Sequence, residues 1–186
     1  IIAIRLDSHL HTPMYLFLSF LSFSETCYTL GIIPRMLSGL AGGDQAISYV
    51  GCAAQMFFSA SWACTNCFLL AAMGFDRYIA ICKPLHYTTI MCGNACVGIM
   101  AVAWGIGFLH SVSQLAFAVH LPFCGPNEVD SFYCDLPRVI KLACTDTYRL
   151  DIMVIANSGV LTVCSFVLLI ISYTCLLYTS PSPRDS

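Results

Sequence analysis

Between Gln45 and Phe75 the chain carries no Asp, Glu, Lys or Arg, and the run ends abruptly at Asp76-Arg77. A stretch that long without charge exceeds the roughly 20 residues a bilayer crossing needs. Counted from Cys52 to Asp76, it predicts a helical rod of about 36 Å, enough to traverse the hydrocarbon with a cap at each end. The Asp-Arg pair therefore falls where the helix leaves the membrane. Composition closes off the soluble alternative. Hydrophobic residues make up 58% of the chain and charged residues 10%, with a mean hydropathy of +0.79; a soluble domain carries about a quarter charged residues. Only bundled membrane helices fit these totals. A net charge of −2 with no basic run gives nucleic acid nothing to bind.

The same pattern recurs along the chain. Membrane spans are expected at 13–40, 51–82, 96–117 and 152–178. A polar segment, 1–12, precedes the first. Segments 41–50, 83–95 and 118–151 connect the spans, and a tail covers 179–186. Thr12-Pro13 reads as a helix start, with Thr12 as N-cap and Pro13 in the first turn. Pro34 is a site for a kink in the first span. The loop 118–151 gathers five acids, three bases and three cysteines. The N-terminus carries no signal peptide and reads as the middle of a longer chain. The Pro-Ser alternation from Thr179 to Ser186 cannot continue a helix. It reads as a native terminus or a cloning scar.

Most of the 12 cysteines lie inside apolar runs, where Cys acts as a small hydrophobe. Cys52, Cys124, Cys134 and Cys144 instead lie at a span end or in a polar loop. Four spans alternate sides, so a cytoplasmic 1–12 segment places all four of these in the outer, oxidising compartment. Lys and Arg do not favour the inner side, so orientation rests on the cysteines rather than on the positive-inside rule.

Along the second span, Cys52, Met56, Ser59, Ala63, Asn66, Leu70, Met73 and Arg77 recur at helical spacing and form one face. Polar groups within a membrane helix turn toward protein, so this face is expected to look inward. Glu25 lies about 18 Å from the cytoplasmic end of the first span and Asn66 about 16 Å from that end of the second. Equal depth makes them a mid-membrane polar pair, with Glu25 protonated or paired through Asn66, water or an ion. Cys64 and Cys67 have redox or zinc spacing, but burial in mid-span with no nearby His argues against either role. His110 and His120 stand isolated. No nucleophile–base pair, paired carboxylates or phosphate loop emerges, so no enzyme is expected.

Several stretches carry a family resemblance. They are Pro13-Met14-Tyr15, Pro34-Arg35-Met36-Leu37, Gly51-Cys52, Gln55-Met56-Phe57-Phe58, and Met73 through Cys82 with Lys83-Pro84-Leu85-His86-Tyr87. In the loop they are Leu121 through Glu128, Phe132 through Pro137, and Leu142 through Asp146. Together they closely resemble vertebrate olfactory receptors, which are rhodopsin-like, seven-helix G-protein-coupled receptors. The resemblance implies an all-α membrane protein, a fragment of a seven-transmembrane helix bundle with helices two to five present. Segments 1–12 and 83–95 would then be intracellular loops, and 41–50 and 118–151 extracellular ones.

By the same resemblance Cys52 pairs with Cys134 and Cys124 with Cys144. Asp76, Arg77 and Tyr78 form the G-protein coupling switch, with Arg77 held by Asp76 at rest. A ligand pocket is expected from Met56, Ser59, Ala60, Ala63 and Cys64 on one helix and Asn157, Ser158, Leu161 and Thr162 on another. The implied partners are a small volatile organic ligand, a heterotrimeric G protein of the olfactory type and the bilayer, with no cofactor, metal or nucleic acid. The implied location is the plasma membrane of olfactory sensory neurons. Gly74-Phe75 departs from the family's usual Ala-Tyr, and Glu25 and Asn66 stand where Asp and Glu are usual. Lacking helices one, six and seven, such a segment is not expected to signal alone. A truncated non-signalling receptor and a related receptor acting outside olfactory tissue are the alternatives. A transporter piece would need broken helices and internal repeats, which the sequence lacks.

Overall fold

The structure, a computed structural model, describes residues 12–42, 46–124 and 133–179, without the side chains at 150, 153, 157, 161, 175–177 and 179. Helix α1 runs Pro13–Leu40 behind an extended Thr12, with Pro13 where a missing N–H costs nothing. Thr12 makes no side-chain capping bond. The helix continues through Pro34 and stops where the Ala41 N–H reaches Leu37 O at 2.9 Å. Gly42 then turns the chain at φ +77°, a left-handed value that glycine adopts without steric cost.

Helix α2, Tyr49–Cys82, starts at Ser48, whose Oγ accepts a hydrogen bond from the Gly51 N–H at 3.1 Å. A 3-10 turn, Pro84–His86, and the short α3, Tyr87–Ile90, lead into α4, Gly93–Val119. The short α5, Leu136–Ile140, lies in the loop before α6, Tyr148–Thr179. Several of these helices start before the apolar stretch that predicts them. Hydrophobicity marks the lipid-facing part, whereas the backbone stays helical until a cap or turn satisfies its end groups. Among the described residues, four helical segments are long and apolar enough to cross a membrane: Pro13–Leu40, Tyr49–Cys82, Gly93–Val119 and Val154–Thr174.

Helix α2 is the central post, packing against α1, α4 and α6. One apolar cluster joins Phe17, Leu69, Ala72, Ile79, Met100 and their neighbours. A second joins Met56, Ala118, Cys134, Val139, Ile140 and Val154 at the other end. Between them lie the buried polar residues Ser24, Ser61, Thr65, Asn66 and Ser111. Without water to drive association, membrane helices rely on close packing at small residues. Gly107 of α4 supplies it here: an added Cβ would collide with Thr65 Oγ1 and come within 2.8 Å of Ser61 O on α2.

The buried side of α2 follows the expected stripe only in part: Met56 and Asn66 are buried, and the rest of the buried set lies beside the stripe. Thr65, Leu69, Ala72, Asp76 and Ile79 are buried, whereas Ala63, Leu70 and Arg77 are exposed. Polarity alone points a stripe inward, but the larger apolar set on the adjoining face wins the contact with α4.

Candidate ligand cavity and cytoplasmic switch

Two disulfides pin the loop end of the bundle. Cys52, in the first turn of α2, bonds Cys134 with Cα atoms 5.4 Å apart, and Cys124 bonds Cys144 at 5.6 Å. An isolated bridge between Phe123 and Ala143 and the Cys144 N–H to Pro122 O bond, 2.9 Å, hold the second link in place. The chain that follows Cys134 folds back as α5, burying Leu136, Val139 and Ile140 against Met56 and Val154.

Beneath this strap lies a cavity of about 250 Å³. Met56, Ser59, Ala60, Ala63 and Cys64 line it from α2, and Ser158 and Thr162 from α6. Asn157 and Leu161 belong to the same helix, but their side chains lie outside the described residues. Sequence reasoning missed the walls from other elements: Tyr28 of α1, His110 and Gln114 of α4, and Tyr133, Asp135 and Pro137 of the strap. The spacing of His110 and Gln114, one helical turn, was the available signal. The strap residues had none, because only the disulfide and α5 fold them over the opening.

The cavity's polar groups are mostly served by their own helices. Ser59 Oγ donates to Met56 O at 3.1 Å, Ser111 Oγ to Gly107 O at 3.0 Å and Thr162 Oγ1 to Ser158 O at 2.9 Å. Each hydroxyl thereby spends its proton and keeps acceptor lone pairs. Gln114 Nε2 and His110 Nε2 lie 3.0 Å apart, and an amide nitrogen can only donate, so the imidazole nitrogen accepts. The lining can hold a small, largely apolar molecule by shape and give it a few weak hydrogen bonds.

Deeper in the bundle, Asn66 Nδ2 donates to Glu25 Oε1 at 2.7 Å, linking α2 to α1. Asn66 Oδ1, Thr65 Oγ1 and Ser24 Oγ are buried without a hydrogen-bond partner among the described residues. Cys64 and Cys67 both border the cavity with His110, yet no metal-holding group of three ligands occurs among the described residues.

At the opposite end, Asp76 is 1% exposed and accepts a hydrogen bond from the Tyr87 hydroxyl at 2.9 Å. Arg77 is exposed and Tyr78 half-buried. The hydrogen bond to Asp76 comes from Tyr87, while Arg77, the partner that the resemblance implies, acts on the carboxylate through its charge. Successive helical residues point about 100° apart and do not face one another, while the turn at Pro84–His86 brings Tyr87 back under α2. Burial pushes the Tyr87 phenol up to about 12, reinforced by the hydrogen bond to Asp76 and by that carboxylate's charge.

A sequence profile of the 7 transmembrane receptor (rhodopsin family) matches residues 1–184. The human proteins named olfactory receptor 4F17 and olfactory receptor 4F5 are 70% and 69% identical to the chain, each over 96% of it and 59% of the relative's length. Human olfactory receptor 10Z1 is 63% identical over 95% of the chain and 56% of its own length. The chain thus spans a little over half the length of these relatives. Its membrane-length helices agree with the match, and the chain belongs to the rhodopsin family of seven-transmembrane receptors, as a multi-pass membrane protein.

Proposed function

We propose that this chain is the ligand-binding and switch-bearing segment of an odorant receptor. The observation that carries the reading is the cavity itself. It holds about 250 Å³, less than the roughly 300–1,000 Å³ of drug-sized sites, and apolar side chains such as Met56, Ala60, Ala63 and Leu115 share its walls with hydroxyl, amide and imidazole groups. A small volatile organic molecule fits such a space; a peptide is too large for it. The 70% identity to proteins named olfactory receptors supports the same reading.

In this proposal Met56, Ser59, Ala60, Ala63, Cys64, Asn157, Ser158, Leu161 and Thr162 contact the ligand. The loop 118–151 is extracellular and its disulfides hold the entrance. Asp76, Arg77 and Tyr78 couple to a heterotrimeric G protein of the olfactory type, with exposed Arg77 presented to it. The Asp76–Tyr87 bond is the contact that a docking partner can exchange, the kind of two-state element a switch needs. Glu25 and Asn66 form a polar pair between α1 and α2. The receptor resides in the plasma membrane of olfactory sensory neurons.

The test is a full-length receptor carrying this segment, expressed with a cyclic-nucleotide reporter and exposed to a panel of volatile alcohols, aldehydes, ketones and esters. At least one should evoke a response that Ala63→Phe, which fills the cavity, abolishes at unchanged surface expression. Arg77→Ala should silence the response and leave ligand binding intact. Responses unaffected by Ala63→Phe would defeat the proposal.

A further inference from the structure

We infer that Gln55 is a positioning residue for the ligand cavity, a single amide that ties α1 to the strap roofing the cavity without lining the cavity itself. The inference rests on the ligand-binding reading above. Gln55 Nε2 donates to the Gly31 carbonyl of α1 at 3.2 Å. Its Oε1 accepts from the Cys134 backbone N–H at 3.1 Å. Both partners are main-chain groups of fixed polarity, so the amide has one productive orientation and reversing it loses both bonds together. The partners lie 24 and 79 residues away in sequence. One side chain on α2 therefore bridges three elements.

What those two bonds hold is what makes them matter. Tyr133 and Asp135 flank Cys134, and both face the cavity, as does Pro137. One helical turn before Gly31, Tyr28 lines the cavity from α1. Gln55 itself lies in a neighbouring groove with Phe58 and Trp62, which shares Tyr28 and Ser59 with the cavity. It acts from behind the wall.

The Cys52–Cys134 disulfide holds Cys134 by its side chain only. Such a tether fixes one point and does not by itself orient the backbone N–H of Cys134. Gln55, on the same face of α2 one turn from Cys52, adds a second attachment at the same residue's backbone. Pro34 has no N–H for the carbonyl of Leu30, the residue before Gly31, so the helix of α1 is locally short of one bond beside the point that Gln55 holds. The combined effect is a strap and an α1 wall preorganised before ligand arrives, which lowers the ordering cost of binding.

The experiment uses the full-length receptor in lipid nanodiscs, with hydrogen exchange and binding of the small apolar fluorophore 1-aminoanthracene as readouts. Gln55→Leu should raise exchange at 133–137 by about tenfold, the factor expected for one net hydrogen bond. It should weaken dye binding several-fold and leave exchange along α4 unchanged. Gln55→Glu keeps the acceptor and loses the donor, so strap exchange should stay near that of the unmodified receptor while the segment around Gly31 loosens. Unchanged strap exchange in Gln55→Leu, or exchange raised equally in every helix, overturns the inference. The two readings fail separately. Absence of dye binding to the unmodified receptor counts against the ligand cavity, whereas equal dye affinity in Gln55→Leu counts against Gln55.

Discussion

Single residues carry the polar chemistry of this bundle, and each sits where an unmade bond is expensive. Asp76 is buried at the foot of α2 and bonded by Tyr87. Tyr87→Phe strands that carboxyl group and should cost about 1–3 kcal/mol in thermal stability, the penalty for a buried group left without its donor. Adding Asp76→Asn should recover part of it. The phenol of Tyr87 stands at about 12 against an ordinary 10.0. Its neutral form is the one the fold prefers, so the stabilisation is complete below the ordinary value and lost as pH rises through the shifted one. An absorbance titration should show a tyrosine ionising near 12 that disappears in Tyr87→Phe; a missing late component contradicts the packing. At mid-membrane, Asn66→Leu removes the 2.7 Å partner of Glu25 and should cost about 1–3 kcal/mol. Glu25→Gln, which still offers an acceptor oxygen to Asn66, should cost less.

At the scale of the helices, the contact between α2 and α4 is set by a missing side chain. Gly107→Ala drives a methyl group against Thr65 Oγ1 and the Ser61 carbonyl. A backbone oxygen cannot step aside, so the helices must separate, at about 1–3 kcal/mol by thermal melting in lipid. Gly74 makes a useful contrast. Its added Cβ would meet Leu169 Cδ2 at 3.2 Å and Ser172 Oγ at 3.3 Å on α6, both ends of side chains. Gly74→Ala restores the residue usual in the resembled family and should change stability by less than about 1 kcal/mol. The two substitutions look alike in sequence. Only the neighbouring helix distinguishes them.

For the whole molecule, the Cys52–Cys134 link closes 82 residues of chain and joins the central helix to the strap. Cys134→Ser should cost about 2–5 kcal/mol and sharply reduce folded receptor. Topology gives a further check. Cys92 is exposed at the start of α4, at the same end of the bundle as Arg77. A membrane-impermeant maleimide should label it only after the cytoplasmic side is opened, while trypsin added outside should reach exposed Arg138 and Lys141. Labelling of Cys92 from outside would invert the proposed orientation.

The sequence by itself determined the class of the fold, because a bilayer tolerates few solutions. Uncharged runs of this length must satisfy every backbone group internally, so the uncharged run before Asp76 had to contain a spanning helix. Thr12-Pro13 marks the start of α1 for an equally local reason. The depth of Glu25 and Asn66 was likewise legible from helical rise alone. Which face of α2 meets α4, which partner Asp76 takes, and which residues of the long loop roof the cavity were decided by tertiary structure. Each depends on contacts between segments far apart in the chain. Tyr87 reaches Asp76 only because the Pro84–His86 turn doubles back, and Gln55 reaches Cys134 only because a disulfide holds the loop across α2. Local chemistry sets the period, length and ends of a helix. Its rotation is settled by whichever side chains fit together best once the helices pack.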